Sequence, residues 1–462
     1  MGLTSILRNF GIVLMIVGLA MIGPIIAAAM TQGDVEPYLF SLIVTLIVGA
    51  GAVVVSLGRR RKSDFRSALV VILMWWCVTP AFAALPFVLS GMSFSDAYFE
   101  AVSALTTTGA WLSNEAAGAD YAGALWRAQL QWIGGLASLA IAAAIFIRPA
   151  FIGIDTILPP FSRGDHESYL RAIRKSVAAF FLIYAGGTAI ALVMLNAGGA
   201  PLFDALILAL SGVSTGGFVL RPDGIESYQS TVSLAMFFIM IFGAMNLVVF
   251  ARLVRGIRAD GDDYENRTFL FMAAVVGVLF WVLSGANGID HVIPQLFNAV
   301  SLLSTSGHII GEAPPLTVAL VTAMIGGAAV STAGGFKILR WLVIMRRARE
   351  ELRCLVLPNA VQGVRRVSNE FGVWTHFLVF TLMLGVLVIA ISAGGRQFDI
   401  VAATATAALS NTGPLLYITA PDISGFEYFD PFTRSFLVVA MIAGRLEAAV
   451  ALALFNPAFW RA

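Results

Sequence analysis

Long apolar stretches separated by short polar ones set the pattern of this chain. The runs Ile12–Met30, Tyr38–Leu57, Ser176–Leu195 and Phe377–Ser392 each approach the ~20 residues that carry a helix across a hydrocarbon core. Lipid leaves no partner for an open backbone group, so these runs predict membrane-spanning helices. Four further apolar segments are too short to cross: Ser95–Thr108, Phe203–Thr215, Ile293–Ser306 and Phe398–Thr412. They predict re-entrant or buried helices. Each runs into a small-residue cluster: Thr107-Thr108-Gly109-Ala110, Thr215-Gly216-Gly217-Phe218, Thr305-Ser306-Gly307-His308 and Asn411-Thr412-Gly413-Pro414.

Small residues recur in the span after each cluster, at Ile133-Gly134-Gly135, Ile241-Phe242-Gly243, Ile325-Gly326-Gly327 and Ile442-Ala443-Gly444, and predict a kink there. The order span, short helix, glycine loop, span therefore occurs four times. A repeat of this kind weighs more in choosing a fold than any single motif.

Composition narrows the class. The 462 residues are 59% hydrophobic and 12% charged, against about 25% charged in soluble domains. Of 29 Lys and Arg, 22 fall in Arg59–Arg66, Arg148–Lys175, Arg252–Arg267 and Lys337–Arg366. Acidic residues (Asp34, Glu36, Glu115, Asp120, Asp422, Glu427, Asp430) hold the other loops. The positive-inside rule makes the basic segments cytoplasmic. The N-terminal stretch reads as an uncleaved first helix rather than a signal peptide. Cys77 and Cys354, with the scattered His166, His291, His308 and His376, predict neither a disulfide framework nor a metal-ligand spacing.

A cation leaving water needs its hydration shell replaced, and inward-facing carbonyls at one level can do this. Glycine permits the backbone such a ring requires. A short helix ending at the ring also turns the negative end of its dipole toward the cation. Taken singly, each cluster could mark a turn or close helix packing. Four in the same order point to a pore. The expected fold is an all-α integral membrane protein. It is a fourfold pseudo-symmetric repeat of helix, pore helix, filter loop and helix, plus an N-terminal two-helix hairpin. The divisions fall at 1–62 for the hairpin and 63–163, 164–262, 263–366 and 367–462 for the pore repeats.

These clusters, with Leu130-Gln131-Trp132-Ile133-Gly134-Gly135, Thr332-Ala333-Gly334-Gly335-Phe336-Lys337 and Gly444-Arg445-Leu446-Glu447, resemble the membrane subunits of Trk-type potassium uptake systems, within the Trk/Ktr/HKT superfamily. The resemblance covers essentially the whole chain. It implies K⁺ as transported ion, with Gly109, Gly217, Gly307 and Gly413 as filter glycines. Ion-facing carbonyls would come from Thr107, Thr108, Thr215, Gly216, Thr305, Ser306, Asn411 and Thr412. It also implies a homodimer with one pore per chain in the bacterial cytoplasmic membrane. A cytosolic nucleotide-binding regulatory ring would be the partner. The chain carries no phosphate-cradling glycine loop, so ATP or NAD(H) would act only through that ring, and no cofactor is expected to stay bound. His308 departs from the aromatic or apolar residue usual in the family and is expected as a hydrogen-bonded vestibule side chain.

Arg445 and Glu447 stand inside the last apolar run, where a charge costs ~2.5–3.5 kcal/mol on insertion scales. Arg445 is expected to face the pore beneath the filter, and Glu447 to pair with a group such as Lys337. The run Gly326-Gly327 to Gly334-Gly335 is a poor helix. It is expected as an intramembrane gate with Lys337 near its cytoplasmic end, and alanine at Gly334 and Gly335 is expected to reduce opening. The Arg340–Arg366 stretch would reach anionic headgroups or the regulatory ring. A secondary transporter of an organic solute would show two inverted repeats instead, and an intramembrane enzyme would need clustered catalytic groups. With no buried acid or histidine relay evident, passive conduction is favoured.

Overall fold

The computed structural model describes residues 3–57, 65–113, 120–146, 166–254, 264–285, 288–357 and 371–446. Glu447, Glu115 and the basic clusters at Arg59–Lys62 and Arg365–Arg366 lie outside them. Among the described residues every regular element is helical. Among the described residues six stretches are long and apolar enough to cross a membrane: Leu3–Thr31, Glu36–Val55, Ser67–Leu89, Ala178–Ala197, Tyr264–Leu283 and Gly372–Ser392. The chain is a multi-pass membrane protein.

The N-terminal hairpin pairs Leu3–Ala20 and Ile22–Thr31 with Glu36–Val55. Its arms cross at two glycines. A Cβ on Gly11 would sit 2.6 Å from the Gly49 carbonyl, so only small residues allow this approach.

The chain then passes four times through one order: entering helix, short helix, returning helix. The first entering span is divided into Phe65–Cys77, Thr79–Ala83 and Leu85–Leu89, with Pro80 and Pro86 opening the second and third pieces, as a missing N–H dictates. His166–Ala197, Tyr264–Leu283 and Phe371–Ser392 are the other three. The short helices are Phe94–Leu105, Leu202–Val213, Val292–Leu303 and Phe398–Ser410. The expected segments overran them by two or three residues, because each chain leaves the helix at the start of its cluster.

The returning helices differ from expectation. Tyr121–Phe146 runs unbroken through Gly134-Gly135, and Pro431–Arg445 runs through Gly444. There the small residues make room rather than a kink. A Cβ on Gly134 would run into the Leu105 carbonyl, and one on Gly444 into that of Leu409. Each glycine thus seats the end of a short helix. The second returning helix breaks after Gly243, between Ser230–Ala244 and Leu247–Val254. The third stops at Ile325 and resumes as Ile338–Val356.

Because the short helices are enclosed by protein, an unpaired polar side chain on them is costly. Glu100 accepts from Arg127 Nε at 2.7 Å and from the Leu112 N–H at 2.8 Å. The two side chains are 1% and 4% exposed. Asn298 serves the third short helix similarly, its Oδ1 accepting from the Ile310 N–H at 2.9 Å. At the outer end of the last returning helix, Asp430 caps Thr433, and these bonds hold its carboxyl below the ordinary value.

Removing one member of a buried ion pair strands the other's charge, at a cost of ~3–5 kcal/mol. Arg127→Ala should therefore markedly lower the thermal midpoint of the detergent-solubilised protein. An unchanged midpoint would show that the Glu100–Arg127 pair holds nothing together.

Candidate functional site

Each short helix ends the same way. The residue two places before the last cluster glycine takes a left-handed backbone: Thr107 (φ 54°), Thr215 (φ 54°), Thr305 (φ 62°) and Asn411 (φ 56°). The next residue then bonds back into the last turn, Thr108 to Ser103 at 2.9 Å, Gly216 to Ser211 at 2.8 Å, Ser306 to Ser301 at 3.0 Å and Thr412 to Ala407 at 2.8 Å. Glycine is the usual residue in such a helix end. Three β-branched threonines there are strained, which marks a functional constraint.

The four clusters close a ring. A Cβ on Gly109 would run into the Gly216 carbonyl, and one on Gly217 into that of Ser306. One on Gly307 would meet Pro414 at 2.9 Å, and one on Gly413 would run into Ala110. The Gly413 N–H donates to the Thr108 carbonyl at 2.6 Å, and Asn411 Nδ2 to Thr108 Oγ1 at 3.0 Å, joining the fourth cluster to the first. Thr107, Thr108, Thr215, Thr305, Ser306, Asn411 and Thr412 are fully buried. Three of the carbonyls expected to face an ion already accept one bond: Thr108 from Gly413, Gly216 from Gln131 Nε2 at 2.6 Å, and Thr412 from the Leu415 N–H at 3.1 Å. A carbonyl has a second lone pair left for a cation.

Outside the ring lies a cavity of about 400 Å³, lined by Gly109, Gly217, Gly307, Pro414, Arg221 and His308 among others. His308 lines this cavity, in the vestibule where it was expected; it is buried, and its Nε2 has no hydrogen-bond partner. Beneath the ring the cavity is about 40 Å³, room for about one or two waters.

Residues 326–337 fill that space. Thr332 Oγ1 donates to the Val213 and Gly243 carbonyls at 3.0 and 2.9 Å. The Gly334 N–H donates to Thr305 Oγ1 at 2.8 Å, and the Gly335 N–H to the Ser410 carbonyl at 3.0 Å. Arg445 donates to the Thr332 carbonyl at 2.6 Å and to Ser138 Oγ at 2.8 Å. Gly326 and Gly335 lie back to back with positive φ, and Gly327 packs against Ala333. Lys337 donates to the Ser331 carbonyl at 3.4 Å and to that of Ala333. All six residues expected at the gate thus come together beneath the ring. Arg445 lines the cavity beneath the ring and ties the loop carbonyl of Thr332 to Ser138 of the first returning helix.

Several site residues escaped the sequence. Glu265 is buried and accepts from the Ala329 N–H and from Asn246 Nδ2 at 2.8 Å, while Asn266 Oδ1 accepts from the Asn246 N–H at 2.7 Å. Glu100 and Glu265 are buried acids that the sequence did not single out. Glu265 was hidden because it stands at a helix start, inside a segment read as basic. A Cβ on Gly334 would run into the Ser410 carbonyl, so the loop seats against the fourth short helix only with glycine there.

The sequence model of the TrkH family, described as a cation transport protein, matches residues 39–461. A potassium uptake protein of the Trk system from Halomonas elongata, TrkH, is 29% identical over all of both chains. Its counterpart in Salmonella typhimurium is 28% identical over 99% of both. The crystal structure of the potassium transporter TrkH from Vibrio parahaemolyticus superposes with a TM-score of 0.87 over all of both chains at 26% identity.

Losing hydrogen bonds to a charged group costs ~1.5–3 kcal/mol. Glu265→Ala should therefore free the loop about tenfold more often. With Cys77 and Cys354 replaced, a cysteine introduced by Ala333→Cys should react correspondingly faster with an aqueous thiol reagent. An unchanged rate would mean that Glu265 does not hold the loop.

Proposed function

Because the chain belongs to the TrkH family of cation transport proteins, we propose that it takes up K⁺ across the cytoplasmic membrane through a channel-like pore. One observation carries this reading: four glycine clusters close a ring between a wide outer cavity and an inner space plugged by a loop. The four repeats are quarters of one pore with fourfold pseudo-symmetry, divided at 63–163, 164–262, 263–366 and 367–462. The names of the relatives, which are potassium uptake proteins, supply the ion.

In this reading K⁺ sheds its water in the outer cavity and enters the ring. Carbonyls of Thr107, Thr108, Thr215, Gly216, Thr305, Ser306, Asn411 and Thr412 replace the lost water, and Gly109, Gly217, Gly307 and Gly413 let the strands approach. The ends of the four short helices add negative potential at the same level. K⁺ is cargo, not a resident cofactor.

The loop from Gly326 to Lys337 is the gate, in its closed position. Opening requires breaking the bonds from Thr332, Gly334, Gly335 and Arg445 together, which an outside input can supply. A cytosolic nucleotide-binding ring acting on a homodimer is the partner that the family resemblance suggests. ATP or NAD(H) would then act on that ring. The exposed Arg346 and the half-exposed Arg347, on the helix that follows the gate, offer it a cytoplasmic handle.

The test is initial uptake of labelled Rb⁺ and Na⁺ by proteoliposomes of the purified chain. Rb⁺ should enter in clear preference to Na⁺, and Arg445→Ala should raise Rb⁺ entry about tenfold by releasing one charged hydrogen bond of the gate. Equal entry of the two ions would remove the potassium claim. Uptake of an amino acid or sugar coupled to an ion would favour a secondary transporter instead.

A further inference from the structure

The four clusters differ at the position just before the last glycine. Thr108, Ser306 and Thr412 carry hydroxyls there, and each pairs with a hydroxyl two residues earlier. The distances are 2.7 Å to Thr106, 3.1 Å to Ser304 and 3.0 Å to Ser410. These three pairs knit the backbone of their strands to the end of the short helix. The second cluster has Gly216 at that position and no such pair. Its Ser214 hydroxyl keeps only the bonds back to its own helix, to the Leu210 and Ser211 carbonyls at 2.8 and 3.0 Å, of the kind that Thr106, Ser304 and Ser410 also make.

The missing side chain is replaced from another quarter. Gln131, on the first returning helix, is fully buried. Its Cδ, Oε1 and Nε2 atoms occupy the place that a Cβ on Gly216 would take. Its Nε2 donates to the Gly216 carbonyl at 2.6 Å, and its Oε1 has no hydrogen-bond partner. So Gly216 is glycine because Gln131 is there. In the other three strands the brace at this level is a local hydroxyl pair.

We propose that Gln131 is a specificity-determining positioning residue, which fixes the Gly216 carbonyl at its distance from the ring axis and so sets the size of ion the second strand accepts. The proposal rests on the pore reading above. Two adjacent glycines, Gly216 and Gly217, have no stiffness of their own. Without the Gln131 amide the carbonyl is free to move inward onto a smaller ion. With it, Na⁺ is left under-coordinated while K⁺ and Rb⁺ are met at contact distance.

The experiment measures initial uptake of labelled Rb⁺ and Na⁺ in proteoliposomes of the full chain. Gln131→Ala should lower the Rb⁺ to Na⁺ ratio about tenfold, the scale of one lost hydrogen bond. Gln131→Glu keeps the shape but loses the N–H donor, and should lower the ratio as well. Gly216→Ser alone forces a side chain into the Gln131 amide and should impair selectivity. Combined with Gln131→Ala, the serine has room to pair with Ser214, and the double variant should recover selectivity beyond either single one. A selective parent whose ratio is unchanged in Gln131→Ala overturns this proposal alone. A double variant no better than the worse single one does the same. A parent that does not discriminate between the ions removes the potassium claim, and this proposal with it.

Discussion

A peptide group that leaves a helix at membrane depth must find its partner within the protein. Among the described residues the chain leaves helices there at four clusters, at the break between Ala244 and Leu247, and at one loop, and most of its unusual residues answer that demand. Ser103 and Ser211 accept from the N–H groups of Ala110 and Phe218 at 2.7 Å. Glu100 and Asn298 take the N–H groups of Leu112 and Ile310. Glu265 does the same for Ala329, and Arg445 takes the Thr332 carbonyl. A charged residue in an apolar helix is costly in itself. Here each one holds irregular backbone in place.

The ring and the loop below it are therefore one bonded unit. Thr305 serves both: its backbone forms the third cluster, and its hydroxyl accepts from Gly334. Thr215 does likewise, reaching Thr332 Oγ1 at 3.4 Å. Every quarter sends at least one group to the loop: Ser138 through Arg445, Val213 and Gly243, Thr305, and Ser410. The strands above differ in their bracing, so the four quarters share a backbone plan without sharing chemistry.

Much of this was legible in the sequence, because it is carried by local rules. The overlong apolar runs, the four short segments and the broken Gly326–Gly335 stretch follow from length and glycine content. Residues that meet across quarters were not legible. Gln131 and Gly216 are 85 positions apart, and Glu265 and Ala329 are 64 apart. Nothing local distinguishes a glutamine that braces a neighbouring strand from one that faces its own helix. The small residues at Gly134 and Gly444 misled for a related reason. Glycine in a helix reads equally as a kink or as a contact surface, and only the Leu105 and Leu409 carbonyls beside them decide it.

The central claim is that the ring of Gly109, Gly217, Gly307 and Gly413 is where a dehydrated cation sits. Crystals of the full chain grown in a thallium or rubidium salt test it directly through anomalous difference density. The account predicts a peak on the ring axis, enclosed by Thr107, Thr215, Thr305 and Asn411, with none beneath the loop. Density confined to the outer cavity or the protein surface, with the ring empty, would contradict it.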